Sequence, residues 1–303
     1  MMMRPPPRPA YSRDSQVVRL DQVPDLDRIS AQWAWGGSTG ERVRVAVIDS
    51  GIDADHPSLE GCVDHDGGVE VRIDADDRIH IVPGAQADSF GHGTACAGII
   101  HSLAPAATIT SVKVLDASLT GKAKQFSAGL QWAIEQRFDV INLSLGTRRA
   151  DVAFELHQLC DAAYFNGTAI VTAANNVNRM SFPSLFASVI SVACNTGSDP
   201  ERFHFNPAPP TEFLARGIDV DVAWLNGGRT TATGNSFAAP HVSGIVARIL
   251  AKHPDLRPFQ LKSVLWATAT NVTEARARAG RISRVMSLVA PRQRSGTFPA
   301  GPR

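Results

Sequence analysis

The chain has 303 residues, a formal net charge of +1 and 44% hydrophobic residues, enough to bury the core of one large α/β domain or of two small ones. With 30 Lys and Arg against 29 Asp and Glu, it has no charge excess to draw nucleic acid or an anionic membrane surface, and neither is expected as a partner. No apolar run reaches the ~18 residues a membrane-spanning helix needs. Cys62, Cys96, Cys160 and Cys194 form no C-x-x-C pair, so the expectation is free thiols in a reducing cytoplasm, not a disulfide framework or a zinc site.

The chain opens with MMMRPPPRPAYSRD, rich in Pro and Arg. It lacks the apolar h-region of a secretory signal, and residues 1–26 are expected to be a disordered segment. A short helix is predicted within 27–35. Residues 43–48 are β-branched with little alternation, the pattern of a buried parallel strand. Asp49 follows, at the carboxyl end where open α/β sheets place their sites. Asp53, Asp55, His56, Asp64, His65, Asp66, Asp74, Asp76 and Asp77 come next. A hard-cation site needs several oxygens converging, and acidic surface loops without a metal are the expectation. Residues 89–100, SFGHGTACAGII, put His92 at the head of a small-residue helix. Cys96 lies one turn on, on the same face. It is expected to be a small core residue, one whose modification would press on His92.

Residues 108–115 read as a strand, 126–137 as an amphipathic helix, and 140–145 as a strand ending at Gly146. A helix over 153–165 and strands over 169–173 and 189–193 follow. This rhythm predicts βαβ units, hence an α/β fold with a mainly parallel central sheet and helices on both faces. Residues 201–217 are Pro-rich and read as irregular; 218–223 and 230–233 lead into the next helix. That helix lies within 233–249, TGNSFAAPHVSGIVARI. Asn235 suits its N-cap. Pro240 is expected in its first turn, where a missing N–H loses no partner. Ser236 would then stand where free N–H groups and the helix dipole favour a developing negative charge. Residues 256–268 read as a last amphipathic helix, and 273–303 as an Arg-rich short helix or solvated tail.

A serine nucleophile needs a base to take its proton, and the base needs a carboxylate to orient it. Asp49, His92 and Ser236 supply these types. The stretches around them, DSGID, GHGTACAG and GNSFAAPHVSG, resemble in order the three active-site motifs of the subtilisin-like serine proteases, the subtilases. The resemblance runs over about 29–272. It implies a three-layer subtilisin-like fold, a catalytic domain over 27–272, and serine endopeptidase activity through an acyl-enzyme with those three residues as the triad. It implies a peptide or protein substrate and neither metal nor organic cofactor.

Further assignments come from the same resemblance. Ala173-Ala174-Asn175-Asn176 is similar to the family's AAGN segment. Asn175 stands at the glycine, where Asn tolerates φ > 0, and Asn176 becomes the oxyanion donor. Ser144-Leu145-Gly146 resembles the strand along which substrate pairs, with 119–122 as the opposite edge. Ala173, Ala174 and Asn175 count with it as substrate-binding. Loop 177–181 is shorter than in many secreted members, and Met180, Ser181 and Phe182 shape a P1 pocket of open preference with no acid as its floor. Three departures stand out. Asn235 replaces the usual threonine. Ser58 and the rapid passage to Leu103-Ala104-Pro105 lead us to expect no calcium site of the common type. Few residues precede the strand at 43, so folding without an attached pro-domain is expected. Narrower readings are processing of a dedicated precursor peptide, transpeptidation or cyclisation, and a catalytically impaired peptide-binding protein.

Overall fold

Alternation along one central strand divides the protein into two cores. The computed structural model describes residues 25–26, 28–84 and 87–289; nearly all of the segment predicted disordered over 1–26, and residues 290–303, lie outside the described residues. Ser30 caps a single-turn helix, α1 (Ala31–Ala34), shorter than the helix expected within 27–35. The central strand is β1 (Arg44–Asp49), buried in all but its first residue. The acidic stretch then forms a hairpin, β2 (Val69–Ile73) and β3 (Ile79–Pro83), which sequence reading did not anticipate. Its turn is set by Asp74 Oδ1, which accepts the N–H groups of Asp76 and Arg78.

Helix α2 (His92–Leu103) leads to β4 (Thr108–Lys113), α3 (Ala123–Glu135) and β5 (Val140–Leu143). Helix α3 begins three residues before the predicted start, because Gln125 Oε1 reaches back to accept the Lys122 N–H ahead of the apolar face. Then come α4 (Ala153–Asn166), β6 (Ala169–Ala173), β7 (Ile190–Asn195), β8 (His204–Phe205) and β9 (Phe213–Arg216). The last two correct the irregular reading of 201–217. The strands are short and flanked by proline, so periodicity was too brief to show, yet β9 lies parallel to β7 and β8 folds back on it. A separate hairpin, β10 (Val220–Ala223) and β11 (Arg229–Ala232), precedes α5 (Asn235–Lys252), α6 (Pro258–Thr268) and α7 (Thr270–Val289). The Arg-rich end is thus helical through its described part, and Asn271 ties it to both backbone groups of Phe205.

The main sheet has nine strands in the order β3-β2-β4-β1-β5-β6-β7-β9-β8. It is parallel from β2 to β9, with an antiparallel strand at each edge. Val45 and Val47 pack with Ile100 of α2 and with Val242 and Ile245 of α5. Ala46 and Ile48 face the other way, with Leu130 of α3 and Leu156 of α4. This is the expected three-layer α/β architecture. Gly244 lets α5 lie close on α2, since a Cβ there would stand 2.8 Å from Leu103 Cβ. Asp49 ends β1, Ser144 follows β5 by one residue and Ala173 ends β6, while α2 and α5 both begin on that same edge. The carboxyl edge of the sheet is therefore where the chemistry-bearing residues collect.

Candidate active site

Asp49 is fully buried at the end of β1 and His92 is the first residue of α2. His92 Nδ1 lies 2.8 and 2.9 Å from the two carboxylate oxygens. Nδ1–H donates into the carboxylate, which leaves Nε2 with its lone pair toward the cleft. Gly93 makes this approach possible: a Cβ there would sit 2.0 Å from Gly51 O and 3.2 Å from Asp49 Cβ. Asp88, which sequence reading passed over, organises the start of α2. Its Oδ1 accepts from Phe90 N, Gly91 N and Ser50 Oγ, and its Oδ2 from Thr94 N and Thr94 Oγ1. Its place four residues before a helix-heading histidine is a capping signal that could have been read.

At α5 the structure corrects two details. Gly234, not Asn235, is the N-cap, and Asn235 is the first helical residue. Its side chain turns away from the helix, Oδ1 accepting Cys194 N (2.8 Å) and Nδ2 donating to Asn175 O (2.9 Å) and Ala174 O (3.3 Å). Its own N–H donates to Asn176 Oδ1 at 2.7 Å. Pro240 is the sixth helical residue, beyond the first turn. The carbonyl it leaves without an N–H is that of Ser236, which accepts instead from Ser144 Oγ (2.7 Å) and Cys96 Sγ (3.6 Å).

Asn175 takes no positive φ, so it replaces a glycine without left-handed strain. Its Oδ1 accepts Val177 N, which turns the chain there. Asn176 and Ser236 converge: a Cβ built on Gly234 would stand 3.2 Å from Ser236 Oγ and 3.5 Å from Asn176 Nδ2. With Asn176 Oδ1 occupied by Asn235 N–H, the amide NH₂ is the group left for the cleft.

One cleft of about 1240 Å³ is lined by His92, Ser236 and Asn176 together with Ser144, Leu145, Gly146, Ala173, Ala174 and Asn175. Leu119, Thr120, Gly121 and Lys122 form an opposite edge, as expected for 119–122. All the predicted site residues are thus brought together, Asp49 from behind the wall. Ser236 Oγ and His92 share the cleft without a hydrogen bond between them, a separation common before substrate closes such a pair. Phe237 packs its ring 5.2 Å from the imidazole.

Burial by itself lowers the His92 pKa, but the Asp49 carboxylate outweighs it and holds the imidazole well above its usual value. Burial pushes the Cys96 thiol up, so it stays neutral. Its sulfur is 4.0 Å from His92 Nδ1 and 3.9 Å from Asp49 Oδ2, on the face that the one-turn spacing indicated. These three residues are also the one trio among the described residues whose ligand atoms lie mutually within 4.8 Å, a geometry that could hold a metal. Elsewhere, Ser58 Oγ accepts from Arg229 Nη1, and Asp77 pairs with Lys122 and Lys124.

The model of the subtilase family matches residues 40–282. Subtilisin DY of Bacillus licheniformis is 33% identical over 267 residues, 82% of this chain and 90% of its own length. Subtilisin E of Bacillus subtilis (strain 168) is 33% identical over 252 residues, and the match spans about 62% of its length and 77% of this chain. Among solved structures, a cold-adapted subtilisin-like serine proteinase superposes with a TM-score of 0.62 at 26% identity, over 82% of this chain and 93% of that one. Sphericase gives 0.64 at 26% identity, over 78% and 88%.

Proposed function

Because the chain belongs to the subtilase family and is a subtilisin-like serine protease, we propose that Asp49, His92 and Ser236 are its catalytic triad and Asn176 its oxyanion donor. The observation that carries this reading is the bonding of His92 Nδ1 to Asp49 in a cleft that also presents Ser236 and Asn176. It fixes the tautomer in which Nε2 is the base.

A peptide lies along Ser144–Gly146, whose backbone beyond β5 has no partner strand among the described residues. His92 Nε2 takes the Ser236 Oγ proton as the oxygen attacks the scissile carbonyl. Asp49 stabilises the imidazolium that forms. The carbonyl oxygen, now negative, accepts from Asn176 Nδ2 and from Ser236 N–H, an early helical N–H without an acceptor in the helix. His92 returns the proton to the leaving amine. Water activated by the same base then releases the acyl group. Ser236 lines a cleft of about 1240 Å³, with room for an attacking water, which supports hydrolysis over transpeptidation or cyclisation. The four free thiols support a cytoplasmic location, and recovery of active enzyme outside its native cell would overturn that assignment.

The test is mass spectrometry of a diverse peptide pool incubated with wild type and with Ser236→Ala. Serine-dependent internal cleavage supports the reading. Cleavage restricted to one sequence class would favour a dedicated precursor. A folded enzyme that cleaves nothing and leaves Ser236 unlabelled by a serine-directed probe would make the protein a peptide binder.

A further inference from the structure

Next to the cleft lies a second groove of about 700 Å³, lined by Arg148, Arg149 and Arg179 and sharing Gly146, Thr147 and Asn175 with the cleft wall. The two segments that carry the arginines are clipped to each other. Thr147 N–H donates to Phe182 O at 2.9 Å and Phe182 N–H donates to Thr147 O at 2.7 Å. Each segment is also fixed locally, Arg149 N–H bonding Thr147 Oγ1 and Val177 N–H bonding Asn175 Oδ1. The guanidiniums therefore sit on a braced rim rather than on independent loops.

Their charge is only partly answered. Arg149 pairs with Asp151. Among the described residues, no hydrogen bond or ion pair engages the guanidinium of Arg148 or of Arg179. Among the described residues no carboxylate lines the groove; Asp151 and Glu155 line the main cleft instead. In a chain whose charges sum to only +1, two unneutralised guanidiniums beside the site form a local binding surface for a carboxylate, which the planar fork of Arg matches.

Asn175 adjoins the oxyanion residue Asn176, and it lines both the cleft and the groove together with Gly146. This shared wall is therefore the part of the groove nearest a carbonyl held at Asn176, and the side chain that goes with that carbonyl is P1, on the acyl side of the scissile bond. We propose that Arg148 and Arg179 form a carboxylate-reading subsite that selects substrates with an acidic residue at P1. The proposal rests on the cleft reading given above.

Four peptides differing only at P1, bearing Glu, Gln, Leu or Lys, test it with wild type and with the double variant Arg148→Gln, Arg179→Gln. At low salt, wild type should favour Glu over Gln by about three- to tenfold in kcat/KM, the range for two exposed charges, and should disfavour Lys. Added salt should shrink the Glu preference. The double variant should lose it while cleaving the Leu peptide as wild type does. A Glu-to-Gln ratio of one or less in wild type, or a ratio unchanged in the double variant, overturns the proposal and leaves the cleft reading standing. If no peptide is cleaved in a Ser236-dependent way and a serine probe does not label Ser236, the cleft reading falls and the proposal with it.

Discussion

Ser144 Oγ donates to the carbonyl oxygen of Ser236 at 2.7 Å, where a residue other than proline at 240 would have sent its N–H. The hydroxyl is itself held by Asn142 Nδ2 at 3.0 Å, and Asn142 Oδ1 accepts from Ser243 of the same helix at 2.9 Å. A side-chain relay through β5 thus replaces the missing helical bond directly behind Ser236. Ser144→Ala leaves a buried carbonyl with only the Cys96 thiol, so stability should fall by about 1–3 kcal/mol. Adding Pro240→Ala to that variant restores a backbone donor. Denaturant melts of the two single variants and the double should show a coupling that recovers part of the loss; strict additivity would argue against the relay.

On the proposed triad, the pH dependence of catalysis follows from His92. Its pKa is held above the ordinary 6.5 by Asp49, and only the neutral imidazole accepts the Ser236 proton. Activity should therefore be lost as pH falls through a midpoint above 6.5. Asp49→Asn removes the raising charge and leaves burial, so the midpoint should drop as kcat falls by about four orders of magnitude. A kcat/KM profile flat from pH 5 to 9 would falsify the assignment of His92 as base.

His241 behaves in the opposite sense. It is buried in α5 with Nδ1 on Phe237 O, and burial pushes its pKa down to about 4. Between 4 and 6.5 the unfolded chain binds the proton and the folded chain does not. Stability should thus decline as pH falls from 6.5 toward 4, by about 3 kcal/mol for the full shift. In His241→Gln this part of the pH–stability curve should flatten, as measured by urea midpoints at several pH values.

Asn235 joins the oxyanion segment to β7 through its side chain and fixes Asn176 through its N–H. Asn235→Ala keeps the N–H but loses the side-chain ties, so the segment 174–176 should drift. The expected loss is about tenfold or more in kcat, smaller than the 10²–10³ expected for Asn176→Ala, a magnitude that comes from this enzyme family. Steady-state kinetics of both variants settle the order; equal losses would mean that Asn235 does more than position.

Asp88 accepts five hydrogen bonds at the head of α2. Asp88→Ala should cost about 1–3 kcal/mol for the donors it leaves without a partner, and kcat should fall because His92, the first residue of α2, loses part of what holds it in place. Asp88→Asn, which keeps one acceptor oxygen, should recover part of both losses in thermal melts and rate measurements.

The proposed site was legible in the chain because each of its parts is local. DSGID, GHGTACAG and GNSFAAPHVSG are contiguous, and each couples a reactive residue to the turn or helix start that presents it. The strands β1, β4, β5, β6 and β7 were legible because strands buried on both faces show as runs of β-branched residues. Where burial was brief or one-sided, as in β2, β3, β8 and β9, the pattern gave no signal, and pairing with an existing sheet edge decided the structure.

What joins the parts was settled only in three dimensions. Ser144 meets the Ser236 carbonyl across 92 residues, Cys96 meets it across 140, and Asn235 bonds Asn175 across 60. Asn235 looked like a cap because its type and position suit one; nearby carbonyls and the Cys194 N–H offered its amide more bonds than the helix did. Arg148 and Arg179 share a groove because a two-way backbone bond holds Thr147 against Phe182. The sequence determines which groups and local frames exist. Partners far apart along the chain meet only when the folded sheet brings its carboxyl edges into one place.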